Sequence, residues 1–242
     1  MKVIKISFLA LFVLFAGCKK ADDASLILSS DEVADFIATS LAANASGLNT
    51  VSADITLNAQ STFDSTVGCG DTKTYTVSHS NPPGTANNYN YQLNYSYTKN
   101  CNANNVPDNI TGKSTDSGSF DCARTSSTNT GASTFRVAGL TPAAPSYVIN
   151  GEYKRSGNFT SKVESKSTAT TTIDFILTNL TINKATKLIT SGTAIVTLTG
   201  NTSTNAGINL VGSVTFTGNN KATVALNGSI YTVDLLTGIF TK

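Results

Sequence analysis

The sequence predicts a mainly β protein, an antiparallel meander forming a β-sandwich or half-open barrel with one short N-terminal helix. Three observations carry that prediction. Ser, Thr and Asn make up roughly a third of the 242 residues and only 13% are charged, about half the usual charged share. Apolar residues over most of the chain alternate with small polar ones, the period of a half-buried strand. Short polar turn signals separate these runs without intervening helical patterns, so consecutive strands are expected to pair as neighbours. The length suits one large all-β domain or two small ones. No clean boundary is visible, and residues 29–242 read as a single β-rich domain, although Thr141-Pro142-Ala143-Ala144-Pro145 is a place where two sheets could part.

At the N-terminus, Met1-Lys2-Val3-Ile4-Lys5, an apolar run from Ile6 to Phe15 and then Ala16-Gly17-Cys18 have the three regions of a secretory signal, covering residues 1–17. The apolar run is shorter than the roughly 20 residues a membrane-spanning helix needs. Phe15-Ala16-Gly17-Cys18 resembles the bacterial lipobox. The resemblance implies a lipoprotein acylated at Cys18, palmitate being one such acyl group, with residues 18–28 as the lipidated Cys and its linker. Lys19-Lys20-Ala21-Asp22-Asp23 resembles the tag that sends Bacteroidetes-type lipoproteins to the outer face of the outer membrane. The expected location is therefore the outer membrane, lipid-anchored at the cell surface, with its periplasmic face as the alternative. Each buried CH₂ contributes about 0.8 kcal/mol, so two or three acyl chains make such an anchor stable. The formal net charge of +2 belongs to the signal: of 17 basic residues Lys2 and Lys5 lie in it, and the remainder balance the 15 acidic ones. With that the composition argument for nucleic-acid binding disappears, and the membrane is expected as a partner through the anchor alone.

Ser29-Ser30-Asp31-Glu32 is a capping box, with Leu28 placed to staple onto Val33. Val33, Phe36, Ile37 and Leu41 follow helical spacing, and Asn44-Ala45-Ser46-Gly47 ends the helix, giving residues 30–44. Everything after it reads as strands. Tyr89, Tyr91, Leu93, Tyr95 and Tyr97 share one face of a strand whose other face is Asn90, Gln92, Asn94, Ser96 and Thr98; Ile173, Phe175 and Leu177 change parity to Leu180 and Ile182, which predicts a bulge near Thr178. Ala194, Val196 and Leu198, and then Ile208, Leu210, Val214 and Phe216, alternate with polar residues. Asn227-Gly228 supplies the positive φ angles of a type I′ hairpin that sets Val224 opposite Tyr231 and Ala222 opposite Val233. Further turns are expected at Gly218-Asn219-Asn220-Lys221 and Asn183-Lys184-Ala185-Thr186, and loops at residues 80–88, 100–117, 125–133 and 141–146.

Cys18 aside, three cysteines remain, which means one disulfide and one leftover thiol or an intermolecular bridge. If Tyr75 faces Tyr95 in a hairpin, Cys69 and Cys101 lie opposite each other at its base, so Cys69–Cys101 is the expected bridge and Cys122 the free, buried thiol. Chemistry is sparse. His79 is the single His, which excludes a His-based metal cluster and leaves any His catalysis to this one residue. Gly112-Lys113-Ser114 lacks the earlier Gly of a phosphate loop, because Pro107 stands there. Residues 102–108 lack the carboxylate spacing of a calcium loop. Glu152, Glu164 and Asp174 could pair for glycoside hydrolysis, but sequence does not show which carboxylates meet across a β fold. No cofactor and no metal are expected.

Tyr89, Tyr91, Tyr95 and Tyr97 allow two readings, an aromatic platform contacting a glycan or peptide, and the core face of an edge hairpin. The entirely polar opposite face favours the core. Asp64-Ser65-Thr66 resembles the O-glycosylation sequon of Bacteroidetes exported proteins, with Ser65 the acceptor. The lipobox, Cys69-Gly70 with Asn100-Cys101, the run Tyr147-Val148-Ile149-Asn150-Gly151-Glu152-Tyr153-Lys154-Arg155-Ser156-Gly157, Ser191-Gly192-Thr193-Ala194 and the terminal Asn-Gly hairpin together resemble an uncharacterised Thr/Ser-rich lipoprotein family of Bacteroidetes/Flavobacteria type. That resemblance bears on fold and location and implies no activity. The expected function is a non-catalytic outer-membrane or cell-surface lipoprotein with a structural, adhesive or interaction role; the alternative is an accessory lipoprotein binding a surface glycan or a peptide.

Overall fold

A computed structural model describes residues 28–81, 87–163 and 166–242; the expected signal segment, Cys18 and the Lys19–Asp23 tag lie outside the described residues. Two helices, α1 (Ser30–Leu41) and α2 (Leu48–Asp64), joined through a 3₁₀ turn at Ala43–Ala45, precede eleven strands. These are β1 (Thr72–Ser80), β2 (Asn88–Cys101), β3 (Pro107–Asp121), β4 (Thr125–Ala138), β5 (Ser146–Ser161), β6 (Thr168–Asn183), β7 (Ile189–Thr202), β8 (Gly207–Gly218), β9 (Lys221–Leu226), β10 (Ser229–Asp234) and β11 (Phe240–Thr241). They form one open antiparallel sheet in chain order, the expected meander. Among the described residues no second sheet packs on it to make a sandwich; the two helices cover its inner face instead.

The capping box closes as expected: the Glu32 amide donates to Ser29 Oγ at 3.1 Å and the Ser29 amide to the Glu32 carboxylate at 3.0 Å. Val33, Phe36, Ile37 and Leu41 are buried. The second helix corrects the expectation of strands from residue 47 onward. Leu48, Val51, Ile55, Ala59 and Thr62 lie three or four apart and are buried, but Asn, Thr, Ser and Asp occupy the positions between, so the apolar stripe is thin. Its N-cap, Gly47, makes no side-chain cap that would announce a helix start.

The sheet curls around α1. Arg124, in the β3–β4 turn, lies over the Phe240 ring on β11 at 5.7 Å, although β4 and β11 are seven positions apart in the sheet order. In a flat sheet that separation is roughly 34 Å. Between the two ends α1 packs Phe36 on Phe159 with ring centroids 4.6 Å apart, pairs Asp35 with Arg124, and accepts the Tyr231 hydroxyl on Asp31 at 3.4 Å. Ala43 and Asn44 amides donate to Leu235 and Leu236, tying the helices to the β10–β11 turn.

Registers expected from the sequence recur. Val224 pairs with Tyr231 and Ala222 with Val233, across a turn in which Asn227 and Gly228 have φ of 47° and 77°. Tyr75 faces Tyr95, and Cys69–Cys101 is a disulfide with Cα atoms 5.7 Å apart. The β6 register shifts between Thr178 and Thr181, the expected bulge. Residues 107–117 and 125–133, expected as loops, are instead strand. Apart from Ile110, their inward positions are small or polar (Gly112, Ser114, Asp116, Thr125, Ser127, Asn129, Gly131 and Ser133), so no apolar alternation marks them. Thr141–Pro145 joins β4 to β5 within the single sheet.

Candidate functional site

The tyrosine strand faces inward. Tyr91, Tyr95 and Tyr97 are 1%, 2% and 0% exposed, which removes the platform reading for these three, because a ring beneath a helix presents no face to a ligand. Tyr95 donates to Asp54 of α2 at 3.1 Å, Tyr97 stacks on Tyr95 and tilts against Phe135, and burial pushes both hydroxyls far above the usual phenol range. Tyr89, on the same inner face, is half-buried and packs against the edge of the core.

Beneath the helices the inner face of β3–β6 has a polar centre. Asp116 pairs across the ladder with Gly131, and Gly131 with Arg155. A methyl on Gly131 would run into the Asp116 carboxylate, and Gly leaves room for it. Neither Asp116 oxygen has a hydrogen-bond partner, and desolvation holds its carboxyl above the usual range despite the opposing Arg155 charge. Arg155, 2% exposed, donates to the carbonyls of Ala45 (3.3 Å) and Ser46, and its guanidinium lies 4.7 Å over the Tyr91 ring. Ser114, Ser133, Thr171 and the Tyr153 hydroxyl beside them are also buried without partners. A cation bonded to helix-end carbonyls is favourable, and Arg155 is thus the bolt between sheet and helices. No signal in the sequence pointed to it.

The outer face of β2–β5 carries an open trough. Its first row is Asn90, Ser119, Thr128 and Asn158, successive ladder partners on four strands. Gln92, Ser117, Thr130 and Ser156 form a parallel row. Two adjoining hollows of about 690 Å³ and about 410 Å³ share Asn90, Ser119, Thr128 and Asn158, and the smaller one extends to Tyr89 and Asp121. Asp121 is paired with Lys162, which also donates to the Cys122 carbonyl. The rest of the lining is amide, hydroxyl and backbone. Sequence reasoning placed the Asn and Ser residues of β2 on a polar face but had no means of seeing that four strands align them.

The remaining expected residues fall as follows. Ser65 is the half-buried C-cap of α2, its hydroxyl donating to Thr62 O at 2.6 Å. Cys122 is a free, buried thiol pushed up to about 11 by desolvation, which keeps it unreactive. His79 pairs with Asp54 at 2.7 Å rather than standing in an exposed turn. Glu152 and Asp174 do meet on the outer face of β5 and β6, but Lys154 bridges them, 2.6 Å from one and 3.2 Å from the other. The lysine hydrogen bond draws the Glu152 carboxyl below its usual range while desolvation raises that of Asp174. Glu164 lies outside the described residues.

Comparison with family models, curated proteins and solved structures finds no match.

Proposed function

We propose that this protein is a non-catalytic, lipid-anchored lipoprotein of the outer-membrane surface, whose β domain serves an interaction role. The N-terminal signal, lipobox and acidic tag support the anchoring and export. The observation that carries the non-catalytic reading is the state of the carboxylates: Glu152 and Asp174 clamp Lys154 in an ion trio on a strand face. A poised acid and base need a gap for substrate between them, not a lysine. Interior chemistry is likewise committed, because Arg155, Asp54 and Asp35 all bind helices to sheet.

The test is acyl labelling of the intact chain in its membrane with an alkyne palmitate, followed by protease shaving of whole cells. Label that is lost in Cys18→Ala, with the domain digested from outside, is expected. Label persisting in Cys18→Ala overturns the anchor, and a domain protected in intact cells overturns the surface placement.

A further inference from the structure

We infer that the trough on the outer face of β2–β5 is a binding site for a neutral oligosaccharide, lying across the strands along Asn90, Ser119, Thr128 and Asn158. The inference rests on reading the protein as a non-catalytic binding module and names the ligand of that module.

The lining selects the chemistry. Asn and Gln amides and Ser and Thr hydroxyls each donate and accept, which is the double character of sugar hydroxyls. Among the described residues the side-chain amides of Asn90 and Gln92 make no hydrogen bond, so they are available; Asn158 uses only its oxygen, accepting from Thr170 at 3.1 Å. An acidic chain would need a cation, and of those flanking the trough Lys162 is already held by Asp121 and the Cys122 carbonyl, and Lys154 by Glu152 and Asp174. An extended peptide would gain little, because every strand here is interior to the sheet, its backbone groups taken by neighbours on both sides, and the trough has neither apolar pocket nor unpaired charge for side chains.

The dimensions agree. Four strands at a spacing of about 4.8 Å give a row some 14 Å long, the length of roughly three pyranose rings. The second row, about 7 Å away along the strands, gives each ring hydroxyls on two sides. Glycans gain affinity from many modest hydrogen bonds, each about 0.5–1.5 kcal/mol net, and the trough has that form rather than one deep pocket.

The test titrates the intact chain, its Asn side-chain amides observed by NMR, with neutral hexasaccharides (maltohexaose, cellohexaose, mannohexaose, chitohexaose) and with hexagalacturonate. At least one neutral chain is expected to shift the Asn90 and Asn158 amides at up to about 10 mM, and hexagalacturonate is expected to leave them unmoved. Asn90→Leu with Asn158→Leu should weaken binding at least tenfold. Thr193→Leu, on the outer face of β7 away from the trough, should leave it unchanged. The melting curve of each variant separates lost binding from lost fold. The inference is overturned if no neutral chain moves these amides, if hexagalacturonate binds as well, or if the double variant binds normally. None of these outcomes touches Cys18 acylation or surface display, so the two readings fail separately.

Discussion

Two stretches of one sheet bury opposite chemistry on the same inner face. Strands β7–β10 turn in Ala194, Val196, Leu198, Val214, Phe216, Val224 and Tyr231, an apolar surface that completes the core. The middle of β3–β5 turns in Ser114, Asp116, Asn129, Ser133 and Arg155, each with an unpartnered atom, between apolar ends such as Ile110, Phe120, Val137 and Phe159. The first surface is held by the hydrophobic effect, which needs no partner geometry. The second is held by a few directed bonds from Arg155 to the helices, and polar atoms left over beside them cost free energy. One end of the molecule is built for stability, the other tolerates cost to keep helices and sheet in a fixed relation.

The largest effects test this division directly. Phe216→Ala in the apolar half should lower stability by about 3–5 kcal/mol, read as a denaturant midpoint shift, because the cavity it leaves cannot refill. Arg155→Met should cost on the order of 3 kcal/mol, since it strands the Asp116 carboxylate and frees two helix carbonyls. The distinguishing readout is hydrogen exchange: Arg155→Met should speed exchange across α1 and α2 well before β7–β10, whereas Phe216→Ala should raise exchange throughout. Equal exchange patterns in the two variants would break the comparison.

Legibility follows the same line. In β7–β10 the period-two pattern and Asn227-Gly228 fixed strands, turn and register, because the apolar face must all point one way. The same physics marked the tyrosine strand, the bulge near Thr178 and the disulfide. Through the middle of β3 and β4 the inner and outer faces are both mostly Ser, Thr, Asn and Gly, so alternation vanishes and two strands pass for loops. Helix α2 escaped for a related reason, its stripe diluted by Thr and Asn and its start uncapped. The trough was invisible because it belongs to no strand: Asn90, Ser119, Thr128 and Asn158 meet only through three registers, and sequence gave no register for β3 or β4.

A middle-sized effect sharpens the polar half. Asp116 is 5% exposed, with both oxygens unpartnered and its carboxyl held above the ordinary range by desolvation. The native state therefore binds its proton more readily than the unfolded chain, so stability falls as pH rises from the ordinary carboxylate pKa through the folded value. Asp116→Asn keeps the shape and removes the charge. At pH 7 it should stabilise by about 1–3 kcal/mol, the cost of one unsatisfied buried group, and the gain should vanish below about pH 4, where the wild-type carboxyl is neutral in both states. A destabilised Asp116→Asn at pH 7 would mean that the carboxylate compensates Arg155 by more than it costs.

The smallest effect concerns the edge of the sheet. His79, on strand β1, bonds Asp54 of α2 across 2.7 Å, and that bond holds the imidazole above its ordinary pKa. A raised folded pKa contributes stability that is fully present below about pH 6.5 and is lost as pH rises through the folded value. The pair is partly exposed, so screening keeps its contribution to a few tenths of a kcal/mol. The melting temperature should accordingly drift down slightly from pH 6 through neutrality, and His79→Asn should remove that drift while leaving the acid-side response of Asp116 intact. The two responses have the same sign but different windows, one beginning near the carboxylate range and the other near the imidazole range. A single pH titration of wild type and both variants separates the buried polar centre from the edge strap; if His79→Asn also abolished the acid-side response, the two would be one coupled network rather than two independent fastenings of α2 and the 3₁₀ turn to the sheet.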